Sequence, residues 1–125
     1  MSTPISDPIE TLMLANLLEV FNERDEAPRR AAIERTYAPN VRWTDAEGVS
    51  TGRNALEAKC VALQQQLGDL QFAAAGPVHR LPNFGYLAWN LIDPTTGQAG
   101  MSGFDAAVIE DGVISALYTV LIPPQ

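Results

Sequence analysis

From Gly68 onward the chain is punctuated at short intervals, and that rhythm limits its fold more than any other feature. Residues 70–81, 84–93, 98–109 and 112–122 are runs rich in β-branched, aromatic and other apolar residues. Between them lie Pro82-Asn83, Pro94-Thr95-Thr96-Gly97 and Glu110-Asp111-Gly112, residue types that fit tight turns. Pro123-Pro124 follows the last run. Connections this short join antiparallel neighbours, so this half predicts four successive strands in a meander.

The first half has a different period. Asp7-Pro8-Ile9-Glu10 is a helix start, with Asp7 as cap and Pro8 in the first helical position. Ile9, Leu12, Met13, Leu17, Val20 and Phe21 then recur at helical spacing. After a polar break at 23–27, Pro28 opens a second helix carrying Ala31, Ala32, Ile33 and Tyr37, and Pro39 closes it. Residues 41–45 read as a strand and 46–52 as a turn or short hairpin. A third helix spans 53–67, with Leu56, Cys60, Leu63 and Leu67 on one stripe and Gly68 as its C-terminal cap.

Three helices followed by a meander predict a segregated α+β domain. A sheet of this size twists and curls, giving a curved, mainly antiparallel sheet whose concave side the helices close over a pocket. The 125 residues read as one domain over 1–125, with flexible ends at 1–7 and 123–125.

Charge narrows the partners. The net charge is −7 and the basic residues form no run, which argues against nucleic acid and anionic membrane. No apolar stretch approaches the roughly 20 residues of a membrane span. One histidine (His79) and one cysteine (Cys60), without ligand spacing, predict no metal site, and nothing in the sequence calls for a cofactor. The single cysteine and an N-terminus without a signal-peptide pattern predict a cytoplasmic protein. Gly48-Val49-Ser50-Thr51-Gly52 matches a nucleophile-elbow pattern, but that motif needs a larger α/β sheet, so the segment reads as a turn.

Two carboxylates stand out. Asp105 lies inside the apolar run 103–109, where an unpaired charge costs several kcal/mol. Asp45 ends the strand 41–45, on the same face as Trp43. Met101, Gly103, Asp105 and Ala107 share a face of their strand. With a four-residue loop at 94–97, Asp93 pairs with Gln98 and Tyr86 lies opposite Asp105, placing Phe84, Tyr86, Ala88 and Asn90 inside. A one-residue change there would put Leu87 and Trp89 inside instead. Phe104, Val108, Tyr118 and Val120 make the outer face apolar, which predicts a homodimer through that face.

The order helix, helix, strand, helix, four strands resembles the nuclear transport factor 2-like superfamily, in its SnoaL-like and ketosteroid-isomerase-like branch. The residues that carry the resemblance are Tyr37-Ala38-Pro39-Asn40-Val41-Arg42-Trp43-Thr44-Asp45, Gly52-Arg53, and Phe104-Asp105 with Asp111-Gly112-Val113-Ile114. The resemblance implies Asp45 as general base and Asp105 as a protonated donor to an enolate, helped by Tyr86. Leu17 and Cys60 stand where the isomerases carry pocket tyrosines. The implied substrate-binding wall is Leu17, Phe21, Tyr37, Trp43, Cys60, Phe84, Tyr86, Met101, Leu117 and Thr119. The implied ligand is a hydrophobic carbonyl-containing small molecule. The implied reaction is cofactor-free proton transfer (isomerisation, cyclisation or dehydration), and the alternative is a non-catalytic binding or homodimeric scaffold domain. The Asp-Arg-Asp relay of limonene epoxide hydrolases has no counterpart, because no arginine neighbours Asp105 on its strand.

Overall fold

The computed structural model describes residues 8–122; the Asp7 cap and the expected flexible ends at 1–7 and 123–125 lie outside the described residues. Helix α1, Pro8–Ala15, runs straight into a π-helical segment, Asn16–Phe21. The Asn22 N–H closes this wider turn on the Leu17 carbonyl at 3.2 Å. The carbonyls left at its end find partners on other elements. Gln64 donates to the Phe21 and Glu23 carbonyls at 3.0 and 2.8 Å, and the Cys60 thiol approaches the Val20 carbonyl at 3.5 Å. Asn22 exchanges two hydrogen bonds with the Phe72 backbone, at 2.8 and 2.7 Å.

Helix α2 is Glu26–Thr36, so Pro28 lies within its first turn rather than opening it. It ends before Pro39. Tyr37 is already extended and pairs with Ile114, and the register slips over the next residues, where Pro39 has no N–H to offer. Arg53 takes over the helix end, donating to the Glu34 carbonyl at 3.0 Å and the Tyr37 carbonyl at 2.8 Å. Helix α3 is Arg53–Leu67. The buried Arg29–Glu57 pair at 3.3 Å ties it to α2, and Arg30 adds a second contact to Glu57 at 2.9 Å.

The strands are β1 Tyr37–Asp45, β2 Gly48–Thr51, β3 Gln71–Ala74, β4 His79–Leu81, β5 Phe84–Ile92, β6 Ala99–Glu110 and β7 Val113–Ile122. They form one curved mixed sheet in the order β2-β1-β7-β6-β5-β3, with β4 also paired to β5. Only β1 and β7 pair in parallel among the described strands. The three helices cover the concave side, giving the expected α+β architecture.

Two features of the meander differ from the sequence reading. The run 70–81 is two strands, not one, because Gly76 (φ 149°) and Pro77 break the ladder. The second difference reverses a strand. Asp93 does pair with Gln98, its N–H reaching that carbonyl at 3.0 Å. Beyond the turn, however, Ile92 faces Ala99 while Leu91 faces Met101, so Gly100 is an unpaired bulge residue. Everything beyond it slips by one. Leu87, not Tyr86, lies opposite Asp105, and Leu87, Trp89 and Leu91 are buried. Phe84, Tyr86, Ala88 and Asn90 face the outer side.

Glycine sets two close approaches. A Cβ on Gly85 would stand 2.7 Å from Met13 Cγ, so α1 crosses β5 there at near-backbone contact. A Cβ on Gly103 would meet the Val120 carbonyl and stand 2.6 Å from the Trp89 ring, so this glycine lets that indole lie across β6.

Candidate active site

A cavity of ≈ 680 Å³ opens between the concave face, α3 and the π-helical segment. Four aromatic side chains wall it: Phe21, Trp43, Phe72 and Trp89. They form a continuous chain, with ring centres 5.0 Å apart for Phe21–Trp43, 5.8 Å for Phe21–Phe72 and 5.0 Å for Phe72–Trp89. Leu63, Leu67, Leu91, Met101 and Leu121 add aliphatic surface. The charged side chains on the lining are Asp45, Glu47, Lys59 and Asp105.

Asp105 is 1% exposed, and every hydrogen bond it makes here is one it accepts. Its Oδ1 receives the Thr119 hydroxyl at 2.8 Å and the Trp89 indole N–H at 3.3 Å. Its Oδ2 receives the Asn16 amide at 2.8 Å. The directions follow from the partners. An indole can only donate, so the Trp43 N–H, 3.0 Å from Thr119 Oγ1, leaves the single Thr119 proton for Asp105. The Tyr37 hydroxyl donates to Asn16 Oδ1, which turns the Asn16 NH₂ toward Asp105. Burial pushes the carboxyl up to about 6, with the bonds from Thr119, Trp89 and Asn16 pulling the other way. The direction is the one the resemblance implied, and a group near 6 exchanges its proton close to neutral pH. Oδ1 thus accepts two of these bonds and Oδ2 one.

Asp45 sits two strands away. β1 pairs with β7 through Trp43↔Leu117 and Thr44↔Tyr118, which brings Asp45 beside Thr119, itself opposite Asp105. Two strand spacings separate the carboxylates' backbones by ~10 Å. The surroundings differ. Asp45 Oδ2 pairs with the Lys59 ammonium, and Oδ1 accepts the Glu47 backbone N–H at 2.9 Å. The Lys59 ammonium also lies 5.1 Å from the centre of the Trp43 ring.

No family model and no curated protein matches this sequence. Solved structures do. A proposed isomerase of the SnoaL-like family from Agrobacterium tumefaciens aligns with TM-score 0.84 at 26% identity, over 92% of this chain and 97% of that one. The chain carries the SnoaL-like form of the nuclear transport factor 2-like fold. A proposed SnoaL-like polyketide cyclase from Jannaschia sp. CCS1 aligns with TM-score 0.70 at 16% identity, over 95% of this chain and 91% of that one. A proposed ketosteroid isomerase from Kribbella flavida aligns with TM-score 0.70 at 17% identity, over 94% and 80%. The last two speak to the fold alone.

Within this SnoaL-like frame the expected site residues divide into three groups. Asp45, Asp105, Phe21, Trp43, Met101 and Thr119 line the cavity. Leu17, Tyr37, Cys60 and Leu117 are fully buried beneath it and are not on its lining. Of these, Tyr37 still acts on the site through Asn16, and its own hydroxyl is pushed well up, chiefly by burial. Burial also drives the Cys60 thiol up to about 12, so it stays a packed thiol. Phe84 and Tyr86 are on the outer sheet face because of the Gly100 bulge, so Tyr86 has no part in the pocket.

Asn16 and Lys59, which the sequence reading passed over, belong to the site, as does Trp89, which it placed inside only under the alternative register. Asn16 takes the place expected of Leu17, because the π turn presents position 16 rather than 17 to Asp105. Trp89 follows from the bulge. Lys59 is the chain's only lysine and lies three residues after Leu56 and four before Leu63, so its helical spacing to the apolar stripe was visible.

Proposed function

We propose that the cavity binds a hydrophobic, ring-containing carbonyl compound and that Asp105 moves a proton on it without a cofactor. One observation carries the reading: a buried carboxylate, held near 6 by burial, lines a largely apolar cavity walled by four aromatic rings. A base with this affinity for protons is matched to neutral pH. In the step, Asp105 Oδ2 takes a proton from a carbon made acidic by the carbonyl. The C–H electron pair becomes a C=C bond and the carbonyl π pair moves to oxygen. Return of the proton at another carbon gives an isomer. Asp45, already engaged by Lys59 and the Glu47 N–H, is the weaker candidate for base, so the base role that the resemblance gave it moves to Asp105.

The test is deuterium uptake, followed by NMR, from deuterated buffer into β,γ-unsaturated ring ketones. The parent exchanges carbon-bound protons well above the buffer rate, and the Asp105→Asn variant does not. Equal exchange by both would end the proposal.

A non-catalytic binding domain is the second reading, favoured by the three donors that already hold Asp105 in place. Binding without exchange in the parent would select it.

The same reading includes a homodimer. Across β5, β6 and β7 the outer face carries the rows Tyr86–Ala106–Tyr118 and Ala88–Phe104–Val120, with Tyr118, Val120 and Ile122 exposed. Light scattering at micromolar concentration should give twice the chain mass, and a monomer would end this part. A cytoplasmic location is also part of it. No helix among the described residues is long and apolar enough to cross a membrane.

A further inference from the structure

Tyr37 is fully buried, and its hydroxyl takes no part in the proton transfer described above. Among the described residues that hydroxyl makes one hydrogen bond, donated to Asn16 Oδ1. Burial pushes it well up, with Asp105 and Cys60 adding to the effect, so it stays a neutral donor. Its backbone is held from two sides. Tyr37 pairs with Ile114 between β1 and β7, and Arg53 Nε and Nη2 donate to its carbonyl at 3.1 and 2.8 Å. Asn16, also fully buried, opens the π segment and bridges the two groups. Its Oδ1 meets Tyr37, and its NH₂ reaches Asp105 Oδ2 at 2.8 Å.

An amide has two orientations. It presents donors on one side and an acceptor on the other, and a half-turn exchanges them with almost no change of shape. Turned, Asn16 would aim its carbonyl at Asp105 Oδ2. Two buried acceptors would then face each other, unless Asp105 carried a proton and donated it. The Trp89 indole offers no such choice, because it can only donate. Each orientation of Asn16 therefore suits one charge state of Asp105: NH₂ inward suits the carboxylate, carbonyl inward suits the acid. The Tyr37 proton separates the two. Turning the amide would bring its NH₂ to the Tyr37 oxygen and leave the buried hydroxyl proton without its acceptor.

We propose that Tyr37 is a positioning residue, whose hydroxyl locks the Asn16 amide with its NH₂ toward Asp105 and so keeps Asp105 an acceptor of protons. Its bearing on catalysis rests on the reading of Asp105 as the base. The other titratable and charged groups around the network are Cys60 on α3, whose thiol burial drives up to about 12, and Asp45, Glu47 and Lys59 on the cavity lining. β5 and β7 bring Trp89 and Thr119, which carry no charge. All of these groups are the same in the parent and in the variants below.

The test follows the Asp105 carboxyl carbon by ¹³C NMR across pH, its signal identified by its loss in Asp105→Asn. In the parent it should titrate near 6. Tyr37→Phe keeps the ring and removes the hydroxyl, and the midpoint should rise by about 1–2 pH units, the weight of one hydrogen bond to a charged group. Asn16→Leu removes the donor outright and should raise it at least as far; Asn16→Ala serves the same comparison if the leucine does not fold. Adding Tyr37→Phe to either should raise it no further, since the hydroxyl acts through the amide. The pH at which deuterium uptake into the ring ketones is half-maximal should move with the carboxyl. A hydroxyl that only packs would change urea stability alike at every pH and leave both midpoints in place. An unmoved carboxyl in Tyr37→Phe, or an equal further rise on the Asn16 background, overturns the Tyr37 assignment while Asp105 stays the base. A moved carboxyl with no uptake by the parent removes the base and leaves the Tyr37 assignment standing.

Discussion

Asp45 and Asp105 lie on one face of one sheet, on strands that flank β7, yet their surroundings have opposite character. At the mouth, Asp45 has a cation and a backbone N–H, and its side chain is 18% exposed. On the floor, Asp105 has three neutral donors and no cation among its contacts, and burial pushes its carboxyl up to about 6. An ion pair compensates the charge of the carboxylate at the mouth. On the floor, burial raises the carboxyl's hold on its proton while the three neutral donors pull the other way. Two aspartates facing one cavity therefore differ in burial and in partners.

The sharpest way to break this contrast is to remove each carboxyl in turn. Asp105→Asn should lower ligand proton exchange by about 10²–10⁴-fold, the usual weight of a positioned base. Asp45→Asn should lower it much less. The reverse ranking, measured by deuterium uptake, would restore Asp45 as the base.

Stability against pH gives the next largest effect. The folded Asp105 carboxyl is raised from 3.8 to about 6, so the folded protein binds its proton more tightly than the unfolded chain does. That contribution is fully present below about pH 4 and is lost as pH rises through about 6. A shift of this size corresponds to about 3 kcal/mol. In urea unfolding, the stability of the parent relative to Asp105→Asn should therefore fall between pH 4 and 7. A difference independent of pH would mean that the floor carboxylate is not perturbed.

The floor can also be disturbed without touching the acid. Gly103→Ala should cost about 1–3 kcal/mol through overpacking. It should also push the Trp89 indole off Asp105, seen as a shifted tryptophan emission. At the mouth, Lys59→Met should cost no more than about 1 kcal/mol, since the Lys59–Asp45 pair is partly open to water. A larger loss there would show that mouth and floor are held alike.

Most of the fold was legible because turn chemistry and hydrophobic period agree. The third helix, the Asp111-Gly112 turn with both residues at positive φ (53° and 80°), and the inward face of β6 follow from sequence directly. The face of β5 did not. Its two faces are both apolar, Phe84 and Tyr86 on one side and Leu87 and Trp89 on the other, so the pattern cannot show which is inside. Asn16 was hidden for a related reason: reading helical phase assumes 3.6 residues per turn, and the π segment breaks that assumption next to the site. Lys59 was legible in principle, but a search for apolar stripes passes over a lysine that belongs to one.

The bulge at Gly100 has a consequence for how such proteins diverge. Losing that one codon, with the turn kept, would bring Tyr86 beside Asp105 and send Trp89 to the opposite surface. No pocket residue need be substituted. A lineage that gains or drops a single residue at this point exchanges what its ligand meets for what its neighbour meets, in one heritable step. Two descendants could then share nearly every letter of β5 and recognise different molecules.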